Sequence, residues 1–189
     1  MIEYKTFGFY PTVWLERFIT PFFTEYFKFS YFSYYLIVFL PAFLFYKNGE
    51  KEKFDEFLLA LFSAYYISFI GFIIFPVEGP RYALSALHEK PLDGYFFTSL
   101  QDFITRTGAL HGGCMPSSHV AATFVTLLSL RRYQKTLYYL LLPVVLSLFF
   151  STIYNRDHYF LDVVVGIFVG YFSFWWSTQI KRREKDAFI

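Results

Sequence analysis

Charge is absent over long stretches of this chain. Five windows, Phe29–Tyr46, Phe57–Val77, Met115–Leu130, Thr136–Asn155 and Tyr159–Ile180, hold 97 residues and one formal charge, Asp162. Four of them are long enough to cross a hydrocarbon core of about 30 Å at about 1.5 Å per residue. Spanning helices are therefore predicted over 29–46, 54–76, 136–154 and 158–180. The fifth, 116–131, is shorter; it starts below the membrane surface, or its Gly-rich lead-in completes the crossing. Ahead of them, Thr12, Glu16, Thr20, Thr24 and Lys28 alternate with Trp14, Phe18, Phe22 and Phe27. That loose polar stripe predicts an interfacial helix over 11–28, kinked at Pro21. The alternative is a sixth crossing that buries Glu16 and Arg17. The connection 77–114 is polar, but Phe96, Phe97, Leu100, Phe103 and Ile104 have the spacing of an amphipathic helix resting on the bilayer. The expected architecture is all-α. It is one membrane domain over 1–189, a polytopic bundle of five or six spanning helices with an N-terminal interfacial helix.

Composition strengthens this reading. Hydrophobic residues make up 56% and charged residues 17%, with 28 Phe and 17 Tyr. Soluble chains carry about 25% charged residues, and a soluble fold this small could not hide so many rings. Cys114 is the only cysteine, which excludes a disulfide scaffold. A net charge of +2 gives no polybasic surface for nucleic acid. Placement of charge says more than its sum. Ten of the 17 basic residues (Lys47, Lys51, Lys53, Arg131, Arg132, Lys135, Lys181, Arg182, Arg183, Lys185) fall in short segments at one end of the predicted helices. The positive-inside rule puts that end in the cytoplasm and the opposite end, with the N-terminus, outside.

The outer end carries three polar clusters. In STIYNRDHYFLDVVVG, His158 and Asp162 are four apart at a helix start and share a face. A carboxylate there can accept from one imidazole nitrogen and leave the other as a nucleophile. A charge inside a membrane segment is a functional candidate by default; the alternative is a pair that merely satisfies polar groups in the bundle. In GGCMPSSHVA, Pro116 suits a first helical turn, where free N–H groups bind anions. Ser117 and Ser118 add hydroxyl donors, and His119 stands beside them as an acid or base. The alternative is a plain helix start with a capping serine. In PVEGPRY, Arg81 follows a rigid turn and could clamp a phosphate, or snorkel to headgroups.

Taken in order, Arg81, the PSSH of 116–119, and a histidine with an aspartate four later resemble the type 2 phosphatidic acid phosphatase superfamily. These are integral-membrane lipid phosphatases and phosphotransferases, and the resemblance covers about 57–180. It implies His158 as the nucleophile, oriented by Asp162, and His119 as the acid and then the base. It implies Arg81, Ser117 and Ser118 as phosphate ligands. The family's first-motif lysine falls at Ile74, Tyr82 replaces a proline, Ser118 a glycine, and Thr152 the third-motif arginine. Arg156 is near enough to substitute, with Lys90 and Arg106 behind it. This pattern resembles the branch with sphingolipid and inositol-lipid phosphotransferases. The expected function is hydrolysis of a phosphomonoester or diphosphate on a membrane lipid. A phosphotransferase and an inactive lipid-binding scaffold are the alternatives. The expected partners are the bilayer and the lipid substrate, with no nucleic acid, no obligatory protein partner and no cofactor. No metal is expected, since no Cys or Glu completes a tight set with the two histidines and Asp162.

Overall fold

A computed structural model describes residues 2–108 and 112–187. Ten α-helices run through those residues: α1 Ile2–Phe7, α2 Pro11–Trp14, α3 Pro21–Phe32, α4 Tyr34–Lys47, α5 Lys51–Ile74, α6 Pro80–Ala83, α7 Phe96–Gly108, α8 Ser118–Tyr133, α9 Lys135–Tyr154 and α10 Phe160–Ala187. Short 3-10 turns cover Leu15–Phe18 and Ser85–Leu87. Four helical stretches are long and apolar enough to cross a membrane: Pro21–Lys47, Lys51–Ile74, Lys135–Tyr154 and Phe160–Glu184.

The segment 11–28 is not the single helix expected from its polar stripe. α2 passes into the 3-10 turn and stops, and Thr20 is extended (φ −139°, ψ 155°). The Thr20 hydroxyl accepts the N–H of Phe23 at 3.2 Å, and Pro21 opens α3. Proline fits a first turn, where its missing N–H costs nothing, so Pro21 starts a helix rather than kinking one. The first apolar helix therefore begins at Pro21, not Phe29, and carries Thr24 and Lys28 into the bundle. α3 and α4 meet at Ser33, whose hydroxyl donates to the Ser30 carbonyl at 2.6 Å.

α8 is the centre of the molecule. It packs against α4, α5, α9 and α10, and Val120, Ala121, Ala122 and Val125 are fully buried. Thr123 and Thr126 turn their hydroxyls back onto the His119 and Ala122 carbonyls. α8 meets protein on all these sides, so it needs no long lipid-facing apolar run. α10 approaches it through two glycines. A methyl group at Gly166 would lie 2.7 Å from the Ser117 carbonyl oxygen, and one at Gly170 would lie 2.6 Å from that of Ala121. Small residues one turn apart allow this close backbone approach.

Burial is inverted relative to a soluble protein. Ile73 is 81% exposed and Leu36 75%, whereas Thr152 and Ser151 are fully buried. α7 follows the same rule. Phe96 and Phe103 face outward, while Thr98 and Gln101 are buried. Its Phe97 packs on Phe29 and Phe32 of α3. The Glu25 carboxylate of α3 accepts the N–H of Tyr95 at 2.7 Å and of Phe97 at 2.6 Å, holding the start of α7. Residues 109–111 of the connection expected over 77–114 lie outside the described ones. The end of α5, the start of α8 and the α9–α10 turn meet at one end of the bundle, beneath α7.

Candidate active site

At that end is a cavity of about 330 Å³. Arg81, Ser118, His119, Arg156 and His158 all line it, with Tyr31, Gln101 and Asp157. Phe32, Phe69 and Phe72 form an apolar wall. The three sequence clusters thus converge on one space.

His158 follows the turn that closes α9, where its N–H donates to the Thr152 carbonyl at 3.0 Å. Its ring is nearly buried, and Nδ1 lies 2.9 Å from the Cys114 carbonyl oxygen. A carbonyl only accepts, so Nδ1 carries the hydrogen and Nε2 keeps the lone pair. Asp162 does not make this bond, contrary to expectation. Its Oδ2 is 3.7 Å from Nδ1, beyond hydrogen-bond range. The reason is local. Asp162 is the third residue of α10 and reaches back to the Tyr159 N–H at 2.7 Å, as the acid of a capping box does. The same oxygen accepts the Cys114 thiol at 2.9 Å. Burial, and then the nearby Asp162 charge, push that thiol well above its ordinary pKa, so it remains a donor. Cys114 therefore fixes the imidazole, and Asp162 fixes Cys114.

His119 enters from the first turn of α8. The Tyr31 and Tyr34 rings flank it at 4.8 and 4.5 Å, and the Tyr31 hydroxyl is 3.1 Å from Nε2. The two histidine rings are 6.1 Å apart. Ser118 lines the cavity, and helix geometry leaves the Ser118 and His119 N–H groups without an intrahelical partner. Ser117 is a correction. It is fully buried, its hydroxyl caps α8 by accepting the Val120 N–H, and its own N–H donates to the Asp162 carbonyl at 3.0 Å. It joins α8 to α10 and does not reach the cavity.

Both arginines stand at the cavity paired with acids. Arg81 Nη2 donates to Asp157 Oδ1 at 2.7 Å and to the Asn155 carbonyl at 3.1 Å. Gln101 of α7 holds the other Asp157 oxygen at 3.1 Å. Arg156 has left-handed backbone (φ 63°) and donates through Nη2 to Glu16 at 2.8 Å and the Lys90 carbonyl at 2.6 Å. The Lys90 and Arg106 side chains are exposed and line no part of the cavity. A cation missed in the sequence lies nearby. Lys28 is 1% exposed, with Nζ 3.7 Å from Asp102 and with Asp157 and Arg81 close enough to act on it electrostatically. Its signal was a charge one residue ahead of an apolar window. Cys114 is the other missed residue. Contrary to expectation, it completes a tight donor set: its Sγ, His158 Nδ1 and an Asp162 oxygen lie within 4.8 Å of one another.

A model of the PAP2 superfamily matches residues 5–176. The chain belongs to the PAP2 superfamily. Among similar proteins is a PA-phosphatase related-family protein of Dictyostelium discoideum, 26% identical over 178 residues. That match takes in 83% of this chain, which spans 32% of the relative's length. The crystal structure of LpxE from Aquifex aeolicus superimposes with a TM-score of 0.62 at 22% identity, covering 85% of this chain and 87% of that one. The superfamily's fold is thus shared. The two absent motif cations are not replaced in place. Ile74 faces outward at 62% exposure. Thr152 is fully buried, with its hydroxyl on the Phe149 carbonyl.

Proposed function

We propose that this PAP2-superfamily protein is an integral-membrane lipid phosphate phosphatase that works through a phosphohistidine at His158. One observation carries the reading: two histidines 6.1 Å apart open onto a cavity with two arginines, and the Nδ1–H of one is tied to a carbonyl. That arrangement supports His158 Nε2 as the nucleophile. Nε2 attacks phosphorus, the bond to the lipid oxygen breaks, and His119 supplies a proton to that oxygen. The phosphorylated imidazole keeps its Nδ1–H and gains positive charge, which Asp162 at 3.7 Å stabilises. Water then enters, His119 takes its proton, and phosphate leaves. Arg81, Arg156, the Ser118 hydroxyl and the first-turn N–H groups of α8 stabilise the equatorial oxygens. The phenylalanine wall suits a substrate whose phosphate arrives on a lipid. Buried α8 is read as a fifth crossing, and the ten basic residues at the far end support a site outside the cytoplasm.

The test is chemical trapping. Purified protein mixed with a ³²P-labelled lipid phosphate should form an acid-labile, alkali-stable phosphoprotein and release phosphate. His158→Ala should abolish both while eluting as the parent does in detergent. His119→Ala should slow formation of the intermediate. If His158→Ala turns over at near-parental rate, the nucleophile assignment is wrong. Release of phosphate only onto an added alcohol would make the protein a transferase using the same intermediate.

A further inference from the structure

The Cys114 thiol, the His158 imidazole and the Asp162 carboxylate form a closed triangle at the floor of the cavity. Sγ is 2.9 Å from Oδ2 and 3.6 Å from Nδ1, and Nδ1 is 3.7 Å from Oδ2. Zinc bonds of about 2.3 Å to sulfur and about 2.0 Å to nitrogen or oxygen, set tetrahedrally, require donor separations of about 3.3–3.5 Å. The sulfur–nitrogen edge matches to about 0.1 Å, the nitrogen–oxygen edge is about 0.4 Å long and the sulfur–oxygen edge about 0.6 Å short, so the ion fits once the side chains adjust and the His158 ring turns Nδ1 off the Cys114 carbonyl. The chemistry fits as well as the geometry. A thiolate, an imidazole and a carboxylate are a zinc donor set, whereas magnesium and calcium take oxygen. Cys114 and His158 both line the cavity, so the ion has an entry route, and a water or phosphate oxygen there can serve as fourth ligand.

We propose that Cys114, His158 and Asp162 form a binding site for zinc that silences the enzyme when it fills. The silencing rests on the phosphohistidine reading above and follows from the proton balance. Zinc takes the Nδ1 lone pair, so the imidazole proton must sit on Nε2. The Nδ1–H bond to the Cys114 carbonyl is lost, and Nε2 no longer has a lone pair with which to attack phosphorus. Cys114 gives its thiol proton to solvent as the sulfur–zinc bond forms, because a coordinating thiol is deprotonated by the ion's charge. Asp162 binds as the carboxylate it already is. No electron changes hands. The metal is here an inhibitor, held by the group that otherwise fixes the active tautomer.

The probe is cobalt(II), which reports a thiolate ligand by near-ultraviolet charge-transfer absorption. Cys114 is the only cysteine in the chain, so any such band comes from it. Tag-free protein in detergent should develop the band with one equivalent of cobalt, lose it on adding zinc, and lack it in Cys114→Ala. Zinc should inhibit lipid phosphate turnover. Cys114→Ser, compared with its own metal-free rate, should need about 100-fold more zinc for half inhibition. Elution volume and tryptophan fluorescence establish that each variant is folded. Absence of a thiolate band at millimolar cobalt would overturn the site, as would equal zinc sensitivity in parent and Cys114→Ser. The band is read without turnover, so a protein inactive on every lipid phosphate would refute the proposed function while leaving the metal site testable.

Discussion

Arg156 shows how one residue can look structural and catalytic at once. Its left-handed backbone is uncommon for a side chain of this size, and the residue lines the cavity while its guanidinium holds Glu16. A pure clamp would hold the N-terminal segment through Glu16 and nothing more. A phosphate ligand would make that clamp secondary. If Arg156 serves the phosphate, Arg156→Ala should lower kcat/KM by about 100-fold or more, about 3 kcal/mol, the scale of one transition-state donor. Arg156→Lys should recover only part, because an ammonium cannot make the planar two-point contact. Glu16→Gln keeps an acceptor for the guanidinium and should cost far less. Equal losses in Glu16→Gln and Arg156→Ala would reduce Arg156 to a clamp. At this scale the sequence was legible where chemistry follows local spacing. His119, His158, Arg81 and Arg156 all reach the cavity from motifs read in order along the chain. It was not legible where partners come from far away. Nothing local tells that Cys114 rather than Asp162 holds the imidazole, or that Lys28 and Glu16 face this end from helices that precede every motif. The two readings of Ser117 are not separable in sequence, because a capping hydroxyl and a phosphate-binding hydroxyl share the same sequence context.

The pairing of α8 with α10 sets the distance between the two histidines. Gly166 lies against the Ser117 carbonyl, one residue from the start of α8, while Gly170 lies one turn deeper, against Ala121. Both approaches are tighter than a methyl group allows. Gly166→Ala and Gly170→Ala should therefore destabilise by similar amounts, about 1–3 kcal/mol, read as lower melting temperature in detergent. Their kinetic effects should differ. The strain at Gly166 falls on the Ser117–Asp162 junction that holds His119 against His158, and a displacement of about 1 Å there can cost about 100-fold in rate. Gly170 carries its strain below the site. Gly166→Ala should thus lose much more kcat than Gly170→Ala at matched stability, and the opposite ranking would separate site geometry from this helix contact. The element boundaries show the same division between local and distant causes. Apolar windows and helix caps are local signals, so α5, α9 and the amphipathic α7 are legible within a few residues. The break at Thr20 is not, because a stripe of polar residues lying on a membrane and one buried inside a bundle have the same period. The start of α7 is held by Glu25, and that of α10 by Glu3, which accepts the Phe160 N–H. Neither carboxylate is near its helix in sequence.

Over the whole molecule, basic residues divide ten to seven between the two ends. Outside the ten basic residues at one end stand seven others: Lys5, Arg17, Lys28, Arg81, Lys90, Arg106 and Arg156. Three of these are committed to ion pairs: Lys28 with Asp102, Arg81 with Asp157 and Arg156 with Glu16. Three at the basic end are paired as well: Lys53 with Glu50, Arg132 with Glu56 and Lys181 with Glu184. Pairing therefore leaves the ten-to-seven bias as it stands, and that bias carries the proposed orientation. Two exposed loop positions test it. Asp93 lies in the connection beside α7, and Asn48 in the turn between α4 and α5 at the basic end. Cys114 is 3% exposed, so the parent chain serves as the unlabelled blank. In intact cells, Asp93→Cys should react with an impermeant maleimide, and Asn48→Cys should react only after the membrane is opened. A reversed pattern would place the cavity in the cytoplasm and restrict its substrates to lipids of the inner leaflet. The expected pattern instead requires that the phosphate lipid be presented on the outer leaflet, so that a flipping or exporting step must precede hydrolysis for any lipid made in the cytoplasm.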